Sequence, residues 1–420
     1  MEIGRDIYLK KLIASKHNGM IKIVTGVRRC GKSYLLFNLF HDHLKACGVD
    51  DSHLVEVDLE DRRNKSLRDP DALLHYIDSR MADERMYYIL IDEIQHVKEF
   101  EDVLNSYLKV GNADIYVTGS NSRFLSKDVL TEFRGRGDEI RVHPLCFREF
   151  MSVQQDNGLE KGMREYMTYG GLPQILTLSG RGKKEEYLKA LFESAYLKDI
   201  KERHRIKNDA NLDELIDVMA SAIGSLTNPV KLQNTFKSVK NTGVSFEMIK
   251  NYLDILQDAF LLEKSVRYDI KGRKYIDTPA KYYFEDLGLR NARLNFRQAD
   301  EGHLMENLLY NELRVRGFSV DVGEVVYNYK DAQGKSNRQR LEVDFVCNQG
   351  FKRYYIQSAF DMPTQAKVEQ ELNSLSRIKD NFQKMIIVGG LAPTYQNDEG
   401  VILMNVFDFL LNEDSLDKFF

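Results

Sequence analysis

Residues 26–33 read Gly-Val-Arg-Arg-Cys-Gly-Lys-Ser, a complete G-x-x-x-x-G-K-[ST] pattern. The apolar stretch Met20 to Val24 precedes it, and an amphipathic helix is expected from Tyr34 to Cys47. A strand, a glycine turn and a helix in that order constrain the fold strongly. They demand an α/β unit whose first turn can cradle phosphate on backbone N–H groups. The loop of Gly26, Val27, Arg28, Arg29, Cys30 and Gly31, with Lys32, Ser33 and Tyr34 opening the helix, is therefore the candidate phosphate site. Lys32 is placed to reach the β and γ phosphates, and Ser33 to ligate Mg²⁺.

The rest of residues 1–150 agrees with that unit. Strands fit Leu54 to Leu59, Tyr87 to Ile91, Asp114 to Thr118 and Ile140 to Val142. Helices fit Pro70 to Met81 and Glu99 to Val110 between them, so the sheet is expected to be parallel with crossovers. Tyr87 to Ile91 is an unbroken apolar run, as in a strand covered on both faces, and Asp92 and Glu93 end it. Two carboxylates there are costly unless they face water or a metal. Asp92 is expected to hold Mg²⁺ through water and Glu93 to polarise an attacking water. Ser120 and Asn121 follow the next strand as candidates to sense the γ-phosphate. Arg134 and Arg136 lie on an edge from which an arginine reaches a neighbouring subunit's nucleotide, which brings a homo-oligomer into the expectations.

Residues 151–206 read as helical, interrupted by Tyr169-Gly170-Gly171-Leu172-Pro173. Helical periodicity then runs through Leu212 to Ile223, Val230 to Val239 and Phe246 to Leu256, followed by two short strands about the turn Asp269 to Gly272. Three helices and a hairpin suggest a winged helix over 207–276. From Thr227 to Lys274 there are nine basic and five acidic residues, against 60 basic and 64 acidic in the whole chain. The acidic total excludes a wholly basic nucleic-acid coat and leaves room for a local basic face. Lys271, Arg273 and Lys274 at the turn, with Ser245, Lys250 and Asn251 on a helix, point to double-stranded DNA as a partner.

The remainder, 277–420, alternates helix and strand. Glu306 sits on a helix of core residues, and Glu342 and Asp344 share one strand face. Gln357-Ser358-Ala359 lies on the next strand. No run approaches about 18 apolar residues, so no membrane segment is expected. The opening stretch MEIGRDIYLKKLI lacks the apolar core of a signal peptide. The four cysteines Cys30, Cys47, Cys146 and Cys347 have neither ligand-pair spacing nor a disulfide pattern. A reducing, cytoplasmic setting is the expectation.

The strings GVRRCGKS, ILIDEIQ, TGSNSRFLS, GRGDEIRVHPLCFREF and YGGLP together resemble the AAA+ superfamily. Specifically, the chain resembles predicted bacterial and archaeal ATPases that end in domain of unknown function 4143. The resemblance implies ATP and Mg²⁺ as cofactors. It makes Lys32 and Ser33 the Walker A residues and Asp92 and Glu93 the Walker B residues. It further implies Asn121 as polar sensor, Arg136 as arginine finger and Pro173 in a lid motif near adenine. The C-terminal part resembles the restriction-endonuclease-like fold, whose active members carry Asp and then Glu-x-Lys. Here Gln357 and Ala359 stand at the last two of those positions. Glu306, Asp344 and Gln357 are the candidate residues for a metal there, and Lys352 or Lys384 the candidate replacement lysine. The domain is expected to bind or shape a partner, DNA or a protein, rather than to cut.

The expected fold is thus α/β: a P-loop AAA+ core over 1–150, a helical lid over 151–206, a winged helix over 207–276 and a nuclease-like α+β domain over 277–420. The expected activity is Mg²⁺-dependent ATP hydrolysis coupled to domain rearrangement. The alternatives are an ATP-switched sensor or adaptor and an ATP-coupled metal-dependent nuclease.

Overall fold

The structure is a computed structural model. It describes the whole chain except residues 1, 120–134, 155–157, 207–208, 241–243, 298–299, 331–333, 363 and 419–420. Asn121, Ser120 and Arg134 lie outside the described residues. The chain divides into two units: Met1–Pro144 with Asp258–Phe260, and Leu145–Gln257 with Leu261–Phe420.

The first unit is built on five strands: β1 (Ile21–Thr25), β2 (Leu54–Asp58), β3 (Tyr87–Asp92), β4 (Ala113–Thr118) and β5 (Gly137–Arg141). Their order is β2-β3-β4-β1-β5, and every pairing is parallel. β1 and β3 are buried along their whole length; β3 is accordingly an apolar run up to Asp92, and β1 carries one charge, Lys22, paired with Asp114 of β4. Ile23, Ile89, Ile91, Ile115 and Val117 pack with Leu73, Ile77, Phe100 and Leu104 from the crossover helices. β1 lies between β4 and β5, so the chain leaves it one way to β2 and returns across it to β5. That reversal opens a crevice at the carboxyl ends of the strands, where ligands bind in open α/β sheets.

The second unit begins with helices, among them Phe147–Ser152, Leu159–Tyr169, Arg181–Leu191, Asp209–Ser221, Pro229–Lys240 and Phe246–Asp258. An eight-stranded mixed sheet follows: β6 (Leu262–Asp269), β7 (Lys274–Phe284), β8 (Ser319–Lys330), β9 (Ser336–Gln349), β10 (Lys352–Ala359), β11 (Gln383–Val388), β12 (Tyr395–Gln396) and β13 (Ile402–Asn405). Its order is β12-β13-β11-β10-β9-β8-β6-β7. The helix Gln365–Leu375 packs Leu375 and Leu372 among Val325, Val343, Tyr355 and Ile386.

Two sequence expectations change here. The hairpin β6–β7 does not stand apart as a wing, because β6 pairs in parallel with β8 through Arg267–Val322, Tyr268–Gly323 and Asp269–Glu324. And β7 runs straight through the expected boundary between residues 276 and 277. Pro279 argues against a strand in the sequence, but it lies where the β6–β7 register breaks between the Ser265–Lys281 and Arg267–Ile276 pairs, so the missing N–H costs no ladder bond.

Candidate functional site

Thr25 ends β1 and Gly26 turns the chain out of the sheet at φ +140°. A Cβ on Gly26 would lie 2.1 Å from the Val142 carbonyl oxygen, so only glycine fits. Gly31 is left-handed at φ +101° and hands over to the helical stretch that starts at Lys32. Arg5 ties the loop down: one guanidinium nitrogen donates to Cys30 O at 2.8 Å and the other to His143 O at 2.6 Å. Lys32 is buried, and its Nζ donates to Gly26 O at 2.9 Å and Val27 O at 3.0 Å. Its ammonium thus lies across the loop whose backbone would meet the phosphates.

The end of β3 faces this loop. Ser33 Oγ donates to Asp92 Oδ2 at 2.8 Å, although the two residues are 59 positions apart. Thr118 Oγ1, at the end of β4, donates to Asp92 Oδ1 and accepts from the Glu93 N–H at 3.0 Å. Burial pushes the Asp92 carboxyl above its ordinary range, while the Thr118 and Ser33 hydroxyls pull it down and the Glu93 and Asp58 carboxylates push it up. Glu93 has left-handed backbone (φ 52°), and its side chain accepts from Gln95 Nε2. Thr118 is a residue to which the motif reading gives no role: it joins Asp92 and Glu93 in one hydrogen-bonded unit.

These residues fit a triphosphate with Mg²⁺. Gly26 and Gly31 take the positive-φ conformations of the turn, Lys32 supplies a cation, and Ser33 and Asp92 present oxygens 2.8 Å apart. Oxygen donors of this kind suit a hard divalent cation. Among the described residues, no three His, Cys, Asp or Glu side chains are arranged to hold a metal by themselves. Arg136 is exposed, and its carbonyl accepts from Ile21 N at 2.9 Å.

In the second unit, Pro173 opens a short 3₁₀ turn, Pro173–Thr177. The two glycines before it are fixed by a neighbour far along the chain. Asp286 Oδ2 accepts from Gly171 N at 2.7 Å, and a Cβ on Gly170 would meet Asp286 Oδ1 at 2.2 Å. Asp286 Oδ1 also caps the helix Leu287–Arg293 through Leu289 N at 3.0 Å. Burial lifts the Asp286 carboxyl to about 6, against the pull of the backbone N–H groups around it.

Glu306, Asp344 and Gln357 do come together, around a residue the sequence reading missed. Lys281 of β7 lies 2.8 Å from Glu306 Oε1, 2.6 Å from Glu342 Oε1 and 3.4 Å from Asp344 Oδ1. Tyr283 OH donates to the same Glu306 oxygen at 2.7 Å. Asp344 Oδ2 accepts from Ser358 N at 2.8 Å, and Gln357 Oε1 accepts from Asp344 N at 3.3 Å. Burial raises Glu306 to about 7, opposed by Lys281. The Asp344 and Glu342 charges also act on Lys281, whose pKa they and Glu306 push well up against its burial. Neither expected replacement lysine is here: Lys352 pairs with Asp417 at 2.7 Å and Lys384 donates to Ile378 O at 2.7 Å.

A G-x-x-x-x-G-K-S loop leaving a parallel sheet, with Asp92 and Glu93 at the end of a buried strand beside it, is the arrangement of a P-loop α/β domain. Residues 18–151 match the family described as "AAA domain", residues 160–300 a domain of unknown function (8612) and residues 301–408 domain of unknown function 4143. An uncharacterised protein of Haemophilus influenzae is 34% identical over 414 residues, covering 97% of this chain and 98% of its own. One from Methanocaldococcus jannaschii is 32% identical over 422 residues, covering 97% and 88%. Among solved structures, the Aeropyrum pernix ORC1 protein in complex with DNA aligns at 12% identity with a TM-score of 0.29, over 70% of this chain and 92% of that one. The chain belongs to the family of the Haemophilus relative, as an AAA-domain protein with a C-terminal domain of unknown function 4143. Among the described residues no helix is long and apolar enough to cross a membrane.

Proposed function

We propose that this chain is a Mg²⁺-dependent ATPase that couples ATP binding and hydrolysis to rearrangement of its domains on DNA or a protein partner. The observation that carries the reading is the unit formed by Ser33, Asp92, Thr118 and Glu93 beside the Gly26–Gly31 loop. The loop N–H groups and Lys32 bind the phosphate oxygens, and Ser33 and Asp92 hold the cation. Bound Mg²⁺ supplies charge neutralisation on the phosphates. Glu93 takes the proton of the attacking water, and Thr118 fixes the Glu93 backbone while it does so. Asn121 as sensor, Arg136 as a finger in a homo-oligomer and Pro173 as part of the lid complete the proposal.

Steady-state phosphate release tests it. Lys32→Ala should abolish ATP binding. Glu93→Gln should lower release by about 10²-fold or more and still bind ATP. Release unchanged by both substitutions would overturn the ATPase reading.

A second reading, a metal-dependent nuclease in the C-terminal domain, draws support from Lys281, which brings a lysine to the carboxylates where Ala359 cannot. Cutting of supercoiled DNA with Mg²⁺ or Mn²⁺, lost on Asp344→Ala, would favour it. No cutting with either ion would remove it.

A further inference from the structure

The turn between β6 and β7 carries Lys271, Arg273 and Lys274, all exposed. It leaves the sheet beside β8: Asp269 is paired with Glu324, and Ile270 N donates to Glu324 O at 3.0 Å. β8 does not stop there. It continues from Glu324 to Lys330, about 20 Å of extended chain, and returns as β9 from Ser336. Turn and ribbon therefore project from one end of the same sheet.

The register sorts the ribbon's side chains. Lys330 is opposite Ser336, Asn328 opposite Arg338 and Val326 opposite Arg340. Alternation puts Lys330, Arg338 and Arg340 on one face together with the neutral donors Asn328 and Ser336. All three cations are exposed. The other face is already in use, with the Arg377 guanidinium 3.6 Å from the Tyr327 ring centre. The acidic residues at the foot of the basic face are matched by buried cations. Glu324 takes Arg267 at 2.6 Å and also lies 3.6 Å from the guanidinium of Arg340, which stays largely exposed, and Glu342 takes Lys281 at 2.6 Å. What remains outward is a run of positive charge at two-residue spacing, flanked by the basic turn.

We propose that this end of the second sheet is a duplex-DNA surface, with the β8–β9 ribbon lying in a groove and the β6–β7 turn resting on the phosphate backbone. The inference rests on the DNA branch of the function proposed above and moves the contact from a free-standing wing to a composite β surface. A two-stranded ribbon fits the major groove, and lysine and arginine bonds to phosphate fix its position there. Each phosphate neutralised adds about 0.9 to the salt slope of binding.

The test is fluorescence anisotropy of the full-length protein with a labelled duplex, repeated at several salt concentrations. Arg338→Ala with Arg340→Ala should weaken binding at least tenfold at low salt and lower the slope by about two. Lys271→Ala, Arg273→Ala and Lys274→Ala together should act in the same direction. No duplex binding by the wild type at low salt, unchanged affinity and slope in both variants, or tighter binding to polyglutamate than to duplex would each overturn the proposal. Phosphate release by the same wild-type preparation without DNA separates the two readings. Normal release with unaltered DNA binding in the variants rejects the surface alone, and absent release rejects the ATPase alone.

Discussion

Lys281→Met removes one ammonium from among three carboxylates. Glu306 and Asp344 are each 7% exposed and Lys281 is 3% exposed, so little water can replace the lost charge. Glu342 is half-buried and can turn outward, which leaves two acids stranded. Breaking a buried ion network by deleting one partner costs about 3–5 kcal/mol. For a unit of this size that lowers the melting temperature by roughly 5–15 °C. The loss should depend on pH. Burial already raises Glu306 from 4.5 to about 7, so the folded state holds this proton more tightly than the unfolded chain does. Stability from that group is fully present below the unfolded value and is lost as pH rises through about 7. Without Lys281 only the Tyr283 hydroxyl offsets the burial, so the variant should suffer most near pH 8 and least near pH 5. Calorimetry at both pH values reads this out, and adding Glu306→Gln to Lys281→Met should restore part of the loss. A Lys281→Met protein melting within about 2 °C of wild type near pH 8 would refute the reasoning.

Thr118→Val keeps the shape of the side chain but strips the hydroxyl from Asp92 and the acceptor from Glu93 N. Denaturant unfolding should show a loss of about 1–3 kcal/mol in the first unit, and phosphate release should fall while Thr118→Ser retains it. Equal stability and release in the valine variant would dismiss the role given to Thr118. Asp286→Asn should flatten the pH dependence of the second unit. Burial lifts this carboxyl from 3.8 to about 6, so its stabilising contribution fades as pH rises through that interval. Urea unfolding of variant and wild type across the interval checks this, and parallel curves would count against it.

The first unit was readable because its signals are local. The glycine spacing at 26 and 31, the apolar run of β3 and the acids that end it all lie within short windows. What escaped reading depends on partners far away. Lys281 stands alone in a proline-containing strand, and the carboxylates it meets, Glu306, Glu342 and Asp344, lie on a distant helix and a distant strand. Gly170 and Gly171 look like a motif for a ligand, yet a side chain on Gly170 would strike Asp286 and one on Gly171 the Leu145 carbonyl, and Asp286, 115 residues beyond Gly171, also accepts from the Gly171 N–H. The hairpin at 262–284 has the sequence of a wing because its pairing with β8 leaves no trace in its own residues. The outer end of β9, residues 336–340, is polar on both faces, so periodicity marks only the portion from Leu341 onward.

The central claim is that Mg²⁺ and a nucleoside triphosphate are held between the Gly26–Ser33 loop and Asp92. Isothermal titration of the folded full-length protein with ATP and Mg²⁺ tests it most directly. The account predicts saturable binding at one site per chain, lost in Lys32→Ala and weakened when Mg²⁺ is chelated. Absence of heat with both ATP and ADP at millimolar concentration, or identical titrations for wild type and Lys32→Ala, would contradict it.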